Sequence, residues 1–340
     1  MMKIRVAILG YGRSGSTMHA CAIEHHCEVF EMAAACDVDP ERRKQAEERS
    51  GCPTYEDYHE MLRKERPDLV IIVTRSDQHA QMTCDCLTAG VNVLVTKPWA
   101  VNEGEARAMI AAARQSRKLL LPWLPSRWGC DLRRLRQLLV ERAIGNVFCI
   151  RRAVHSFGTR DDWQTERRYG GGYLLNWGPH IVDTPALLAG SEVESVYGVM
   201  KQTINPGDVE DCFFAVMNLA NGVVVQAEYT VSMEPLPSWL IQGTHGTIVV
   251  RGNRLTLHKS ASSKPENPTN TASMSAQDET VIEETLEGEL YGDEKEIYAE
   301  IARAVRGEKP YPVTPDDALQ LTRVLDAIRL SDAENRVVRL

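Results

Sequence analysis

The stretch IRVAILGYGRSG, residues 4 to 15, constrains the fold of this chain more than any other. It opens with a nearly unbroken apolar run, the pattern of a strand buried on both faces of a parallel sheet. Gly10, Gly12 and Gly15 follow in G-x-G-x-x-G spacing, and the helix-compatible STMHACAIEHH comes next. Glycine triplets alone say little. Between a buried strand and a helix, they predict a turn whose backbone N–H groups meet a pyrophosphate that a Cβ would hold away. Gly10, Gly12, Arg13, Ser14 and Gly15 are therefore expected to cradle a dinucleotide.

The run VFEMAAACD reads as a second strand ending in Asp37, 22 residues beyond Gly15. An acid there accepts hydrogen bonds from an adenosine ribose and repels a 2′-phosphate, which favours NAD over NADP. Arg42 and Arg43 are expected to be solvated on a helix begun at Asp39-Pro40. The alternation then repeats. EDYHEMLRKER, AQMTCDCLTAG and EGEARAMIAAARQSRK have helical patterns, and DLVIIVT, VNVLVT and LLLPWL read as strands between and after them. Such alternation predicts a doubly wound parallel sheet, a Rossmann domain over residues 1–123.

With 340 residues, 43% of them hydrophobic, the chain is long enough for a second core. A net charge of −8 and the lack of a basic run argue against nucleic acid or anionic membrane as partner. No apolar run approaches the roughly 18 residues of a membrane span, and the N-terminus has no signal-peptide pattern, so a cytoplasmic protein is expected. The nine cysteines are scattered and form no C-x-x-C pair, so no metal site is expected.

From Asn146 the pattern changes. NVFCIRRAVHSF, SVYGVMKQTI, DCFFAVMNLA, GVVVQAEYTV, SWLIQGT, GTIVVRG and RLTLH read as successive strands separated by turn signals. They predict an α+β domain over residues 124–340 with a large, mostly antiparallel open sheet. Residues 259–280 are expected to be a flexible, low-complexity insertion before two closing helices.

Four segments together resemble the Gfo/Idh/MocA family, named for glucose–fructose oxidoreductase, inositol dehydrogenase and a rhizopine-catabolism protein. They are GYGRSG, TRSDQH (74 to 79), AGVNVLVTKP (89 to 98) and GGGYLLNWGPHIVD (170 to 183). The resemblance covers nearly the whole chain. It implies a dinucleotide-binding oxidoreductase whose second domain pairs through its sheet, hence a homodimer or homotetramer.

The resemblance also assigns residues. The family's E-K-P lysine, which contacts the substrate hydroxyl, falls on Lys97, with Thr96 in place of the glutamate. Its T-P-N-x-x-H segment leaves Thr74 and His79 as neighbours of the cofactor, without the proline and asparagine. In the second motif His180 is the general acid or base, Lys97 polarises the reacting oxygen, and Asn176 stands where many members carry aspartate.

Asn176, His180 and Asp183 are spaced i, i+4 and i+7, one face of a continuous helix, so Asp183 would orient or charge-stabilise His180. The preferred reading, however, starts a helix at Pro179 and leaves Asn176 in a loop that the glycines bring close to the nicotinamide. Upstream, a dense charged and aromatic stretch suggests a carbohydrate pocket: Arg127, His155, Asp162, Trp163, Arg167 and Tyr169, with Asn176 binding hydroxyls.

The expected activity is hydride transfer between NAD and a secondary hydroxyl of a sugar, cyclitol or glycoside. Two alternatives stand beside it. One is a redox-neutral NAD-dependent glycosidase, and the other is a non-catalytic NAD(H)-sensing protein.

Overall fold

The computed structural model describes residues 2–260 and 279–340. Six strands form the first sheet: β1 (Ile4–Leu9), β2 (Phe30–Cys36), β3 (Thr54–Tyr55), β4 (Leu69–Ile72), β5 (Asn92–Val95) and β6 (Leu120–Pro122). All are parallel, in the order β3-β2-β1-β4-β5-β6. β4 is buried along its whole length, as expected of a strand with helices on both faces. The helices between them are α1 (Ala20–His25), α2 (Pro40–Ser50), α3 (Tyr58–Glu65), α4 (His79–Thr88) and α5 (Glu103–Ser116). Asp39, Asp57 and Asn102 cap α2, α3 and α5 by accepting backbone N–H groups of the first turn.

After β1 the chain turns into a π-helical turn, Gly15–His19, which runs on into α1. A Cβ on Gly15 would lie 2.1 Å from the Gly10 carbonyl oxygen, so only glycine fits there. The crowding pulls the start of the helix onto the end of β1. Its first N–H groups, which helix geometry leaves without intrahelical acceptors, collect at the carboxyl edge of the sheet.

The second sheet has nine strands: β7 (Val147–Ser156), β8 (Val193–Lys201), β9 (Cys212–Leu219), β10 (Val224–Val231), β11 (Trp239–Gly243), β12 (Gly246–Arg251), β13 (Arg254–Ser260), β14 (Glu279–Thr285) and β15 (Val338–Arg339). Their order is β14-β13-β12-β11-β7-β10-β9-β8-β15, antiparallel except for the parallel β7–β10 pair. The expected insertion is corrected at both ends. Residues 259–260 and 279–280 pair with each other as parts of β13 and β14, and 261–278 lie outside the described residues.

Helices α6 (Cys130–Val140), α7 (Tyr173–Ile181), α8 (Asp183–Ala189), α9 (Glu294–Val305) and α10 (Pro315–Glu334) complete the fold. α7 and α8 pack on β7 and β10, and α10 packs on both β8 and α5, so it touches both halves of the chain. Two buried polar contacts fasten those halves. The Trp99 indole donates to the Thr322 hydroxyl at 2.7 Å, and His19 Nδ1 meets the Tyr298 hydroxyl at 2.8 Å. Burial holds the His19 ring neutral, its pKa down to about 3. The stability that depends on that neutral ring is present above about pH 6.5 and is lost as pH falls toward 3. Tyr298→Phe leaves the buried imidazole without its partner. It is expected to cost about 1–3 kcal/mol at pH 7 by chemical denaturation, and an unchanged midpoint would remove this contact from the account.

Candidate active site

The carboxyl ends of the first sheet's strands converge on the second sheet's helices. β5 ends at Val95, and the hydroxyl of the next residue, Thr96, donates to the Ile72 carbonyl at 2.9 Å and ties the end of β5 to β4. The next residue, Lys97, precedes Pro98 through a cis bond and reaches across to α7. Its Nζ donates to Asn176 Oδ1 at 2.6 Å and to the Asn176 carbonyl at 2.9 Å. Burial, together with the nearby guanidinium groups of Arg160 and Arg13, pulls the Lys97 pKa down to about 7. Asn176 offers neutral oxygens and cannot reverse that shift.

The structure corrects the reading that started a helix at Pro179. α7 begins at Tyr173, so Asn176 is helical and Pro179 lies inside the helix. The cap that makes this possible comes from far along the chain. The Glu210 carboxylate accepts the Leu174 N–H at 2.9 Å, and its carbonyl accepts the Tyr173 N–H at 3.1 Å. An acid at a helix N-terminus is favourable there. Gly172, at φ +107°, makes the approach possible, because a Cβ would sit 2.5 Å from Glu210 Oε1. The glycines of this segment thus bring the chain against Glu210 and, at Gly170, against Ser76.

His180 lies one helical turn beyond Asn176 and is buried. Its Nδ1 is 2.5 Å from the Ser126 hydroxyl, while Nε2 has no partner among the described residues. Burial, then the charges of Lys97 and Arg152, hold its pKa well below the ordinary imidazole value, so the ring is neutral at pH 7. Aromatic rings surround it: Trp177 at 5.7 Å and Tyr291 at 5.4 Å between centroids, with Trp177 stacked on Tyr229 at 5.5 Å.

The expected Asp183–His180 interaction is absent. The helix breaks at Val182, and the Asp183 carboxylate is gripped by Arg127 Nε and Nη2 at 2.8 and 2.7 Å. Asp317 lies 3.5 Å from the same guanidinium. Arg127 is thereby held within the protein by two acids, and the residue beside it, Ser126, is the one that meets His180. Ser126 has no local sequence signal; only the fold brings it there.

Most of the remaining candidates have partners of their own. Gly10, Gly12, Arg13, Ser14 and Gly15 lie on the turn after β1. Asp37 is buried and accepts the Tyr11 N–H at 2.7 Å and the Asp39 N–H at 3.0 Å. Arg42 and Arg43 are not simply solvated: Arg42 Nη1 lies 3.6 Å from Asp37, and Arg43 donates to the Asp37 carbonyl at 2.8 Å. His79 is buried between the Thr74 and Pro98 carbonyls at 3.1 and 2.8 Å, so it braces the strand ends. Thr74 Oγ1 itself is turned to Met82 Sδ at 3.5 Å.

Tyr169 lies between the guanidinium groups of Arg75 and Arg168, at 4.0 and 4.4 Å from its ring centre. Asp162 caps the short turn Trp163–Thr165 and pairs with Arg160 at 2.6 Å. Arg167 is tied to Asp208, and His155 Nδ1 accepts the Leu236 N–H at 3.4 Å. Arg160, Arg152, Tyr229 and Tyr291 were not anticipated from sequence. The residues of the first turn suit a dinucleotide: the glycine packing leaves N–H groups at a helix start, and the Asp37 carboxylate stands at the end of the neighbouring strand.

Residues 4–122 match a family described as an oxidoreductase family with an NAD-binding Rossmann fold, and residues 136–340 match its C-terminal alpha/beta domain. An NAD-binding protein from Listeria innocua has a similar solved structure, with a TM-score of 0.86 and 25% identity, covering 99% of this chain and 97% of that one. Among curated proteins the chain is 24% identical to the scyllo-inositol 2-dehydrogenase (NADP(+)) of Bacillus subtilis, over 99% of this chain and 96% of the relative. It is 27% identical to the D-glucoside 3-dehydrogenase of Escherichia coli, over 68% of this chain and 71% of the relative.

Asn176→Asp places a carboxylate beside the Lys97 amine and is expected to raise its titration above 7 by about one to two pH units. Competitive acetylation of Lys97 across pH, read by mass spectrometry, measures the shift. An unmoved midpoint would show that the neutral partner is not what keeps the amine low.

Proposed function

The chain belongs to the Gfo/Idh/MocA oxidoreductase family, and from that premise we propose that it transfers hydride between NAD and a secondary hydroxyl of a sugar, cyclitol or glycoside. The observation that carries the reading is the Lys97–Asn176 contact one helical turn from a neutral His180. A bound nicotinamide would accept or supply the hydride. The chain's own residues handle the proton and the charge. His180 takes the hydroxyl proton at Nε2, while the Ser126 hydroxyl holds Nδ1 in either tautomer. Lys97, when protonated, stabilises the charge that develops on the alcohol oxygen. Asn176 fixes the amine, and the Arg127–Asp183 pair fixes the turn that carries Ser126.

Asp37 supports NAD, since a buried carboxylate at that strand end repels a 2′-phosphate. Arg42 beside it is the group that would serve NADP, and the Bacillus subtilis relative is named for NADP. The substrate pocket in this reading draws on Trp163, Tyr169, Asp162 and Arg167; His155 alternates to the sheet face opposite Arg152 and Tyr229 and is left out of it. Sugar and inositol dehydrogenases among the relatives support that substrate class.

The test is a panel of sugars, inositols and glycosides scored for reduction of NAD and NADP in parallel. The parent chain is expected to reduce NAD with at least one of them. Lys97→Ala and His180→Ala are each expected to lower kcat/KM by about 10²–10⁴; activity within a few-fold of the parent would overturn the assigned roles. Cleavage of an aryl glycoside with no net NADH would instead make the chain a redox-neutral glycosidase. Tight NADH binding with no turnover on any substrate would make it a sensor.

We also propose that the outer face of the nine-stranded sheet pairs with a second copy. Phe214 and Val216, side by side on that face of β9, are each 41% exposed, apolar surface that a second copy would cover. Phe214→Glu is expected to lower the oligomeric state in sedimentation velocity, and a parent that sediments as a monomer would refute the pairing.

A further inference from the structure

Arg152, on β7, is a buried cation with half of its hydrogen-bonding edge unused. It is 3% exposed. Its Nη1 donates to the carbonyls of Ser238 and Ala153 at 2.9 and 3.3 Å, and its guanidinium lies over the Trp239 indole, 4.7 Å from the ring centre. Nε is buried with no acceptor, and Nη2 has none among the described residues. No carboxylate among them comes within ion-pair distance of Arg152. Glu228, on the adjacent strand, is given to Arg151 at 2.9 Å. Asp131 gives its oxygens to the Leu132 N–H and to the Trp239 indole, both at 2.7 Å.

Nε and Nη2 point the same way along one edge of a guanidinium, the edge that holds a carboxylate by two parallel hydrogen bonds. Elsewhere in this chain arginines use that edge on acids: Arg127 on Asp183, Arg134 on Glu284 and Arg49 on Glu24. A buried guanidinium without such a partner is costly, so the exception calls for an anion from outside.

The place of Arg152 says where that anion would sit. Its neighbours across β10 and β11 are Ala227 and Trp239. Two residues on from Ala227 and on the same face, Tyr229 stacks on Trp177, which with Tyr291 surrounds His180. α7 packs on β7 and β10 at this point.

We propose that the substrate is a sugar acid, its carboxylate held bidentately by Nε and Nη2 of Arg152 while its reacting hydroxyl meets Lys97 and His180. This rests on the dehydrogenase reading above and names its substrate class. The donor geometry suits a planar carboxylate. A sugar phosphate offers the same charge on a different shape, and the test separates the two.

The first arm needs no variant. The NADH-loaded protein is titrated calorimetrically with D-glucuronate, D-glucose and D-glucose 6-phosphate, and with the matching galactose series. At least one acid is expected to bind about tenfold or more tighter than its neutral congener. Equal binding, or no acid bound better than its congener, overturns the proposal, and so does a preference for the phosphate. In the second arm, Arg152→Lys keeps the charge but lacks the fork. It is expected to reduce the preference for the acid on the order of 30-fold, with near-UV circular dichroism matching the parent. A preference kept within about threefold would remove Arg152 from recognition.

NADH formation on the same pairs tells the two readings apart. An acid that is bound selectively but never oxidised refutes the dehydrogenase and leaves the anion site. Neutral sugars oxidised with no acid preference do the reverse.

Discussion

The site is organised by an amine that meets no carboxylate. Lys97 leaves the first sheet and places Nζ on two oxygens of Asn176, both neutral. An aspartate in that position would have secured the proton on lysine across the physiological range. Here the amine is desolvated near two arginines, and its proton is held loosely, near pH 7. The cost falls on folding. A lysine that titrates lower in the native chain than in the unfolded one weakens stability below its unfolded pKa, and the penalty fades as pH rises from about 7 toward 10. Structures retain such strain where chemistry needs a mobile proton.

The contact works only if α7 stands where Lys97 can reach it, and remote groups ensure that. Glu210 caps the helix from the loop before β9, with a carboxyl whose pKa burial raises against the lowering effect of the Leu174 N–H. The side chain of Leu325 closes against Gly178 from α10, where a Cβ would sit 2.7 Å from its Cδ2. Below His180, Arg127 is bonded to Asp183 and approached by Asp317, so a residue after β6 is joined to the starts of α8 and α10. A buried ion pair of this kind adds little net stability, because desolvation offsets attraction. It does fix the relative positions of its elements, and with them the Ser126 hydroxyl.

These contacts mark what was legible in the sequence. Five of the six parallel strands could be read, because each is a short apolar run bounded by turn chemistry and the glycine turn has one structural context; the two-residue β3, Thr54–Tyr55, has no such pattern. Most of the nine-stranded sheet followed from period-2 alternation. β14 did not, since ETVIEET is mostly exposed and its pairing is set by β13.

At the site, Lys97, Asn176 and His180 were found through resemblance and local motif, and they do converge. Asp183 and the start of α7 were misread for one reason. Local rules put the helix start at proline and the carboxylate beside the histidine, whereas Glu210 and Arg127, 36 and 56 residues away from the groups they bind, supplied the actual partners. Ser126 and Arg152 carry no pattern at all; Ser126 is marked by its contact with His180 and Arg152 by burial without a carboxylate, and both are properties only coordinates possess.

Charge shows the same difference between composition and place. The chain is acidic overall, at −8, yet the cleft gathers Arg13, Lys97, Arg152 and Arg160. The acids nearest to it are already committed. Asp162 is bound to Arg160. Asp211 accepts from the Thr203, Ile204 and Asn205 N–H groups at 2.7 to 2.8 Å, which hold its pKa below the usual carboxylate range. Acids satisfied in this way are anchored to loops and cannot swing over to neutralise the cleft. The charges that bear on Lys97 and His180 are therefore cationic, from Arg160 and Arg13 on the one and from Lys97 and Arg152 on the other. Arg13 precedes the Gly15–His19 turn, where a pyrophosphate would meet it. Arg152, on β7, is buried with no acid of its own, and its unused Nε is the group in this collection that no internal carboxylate answers.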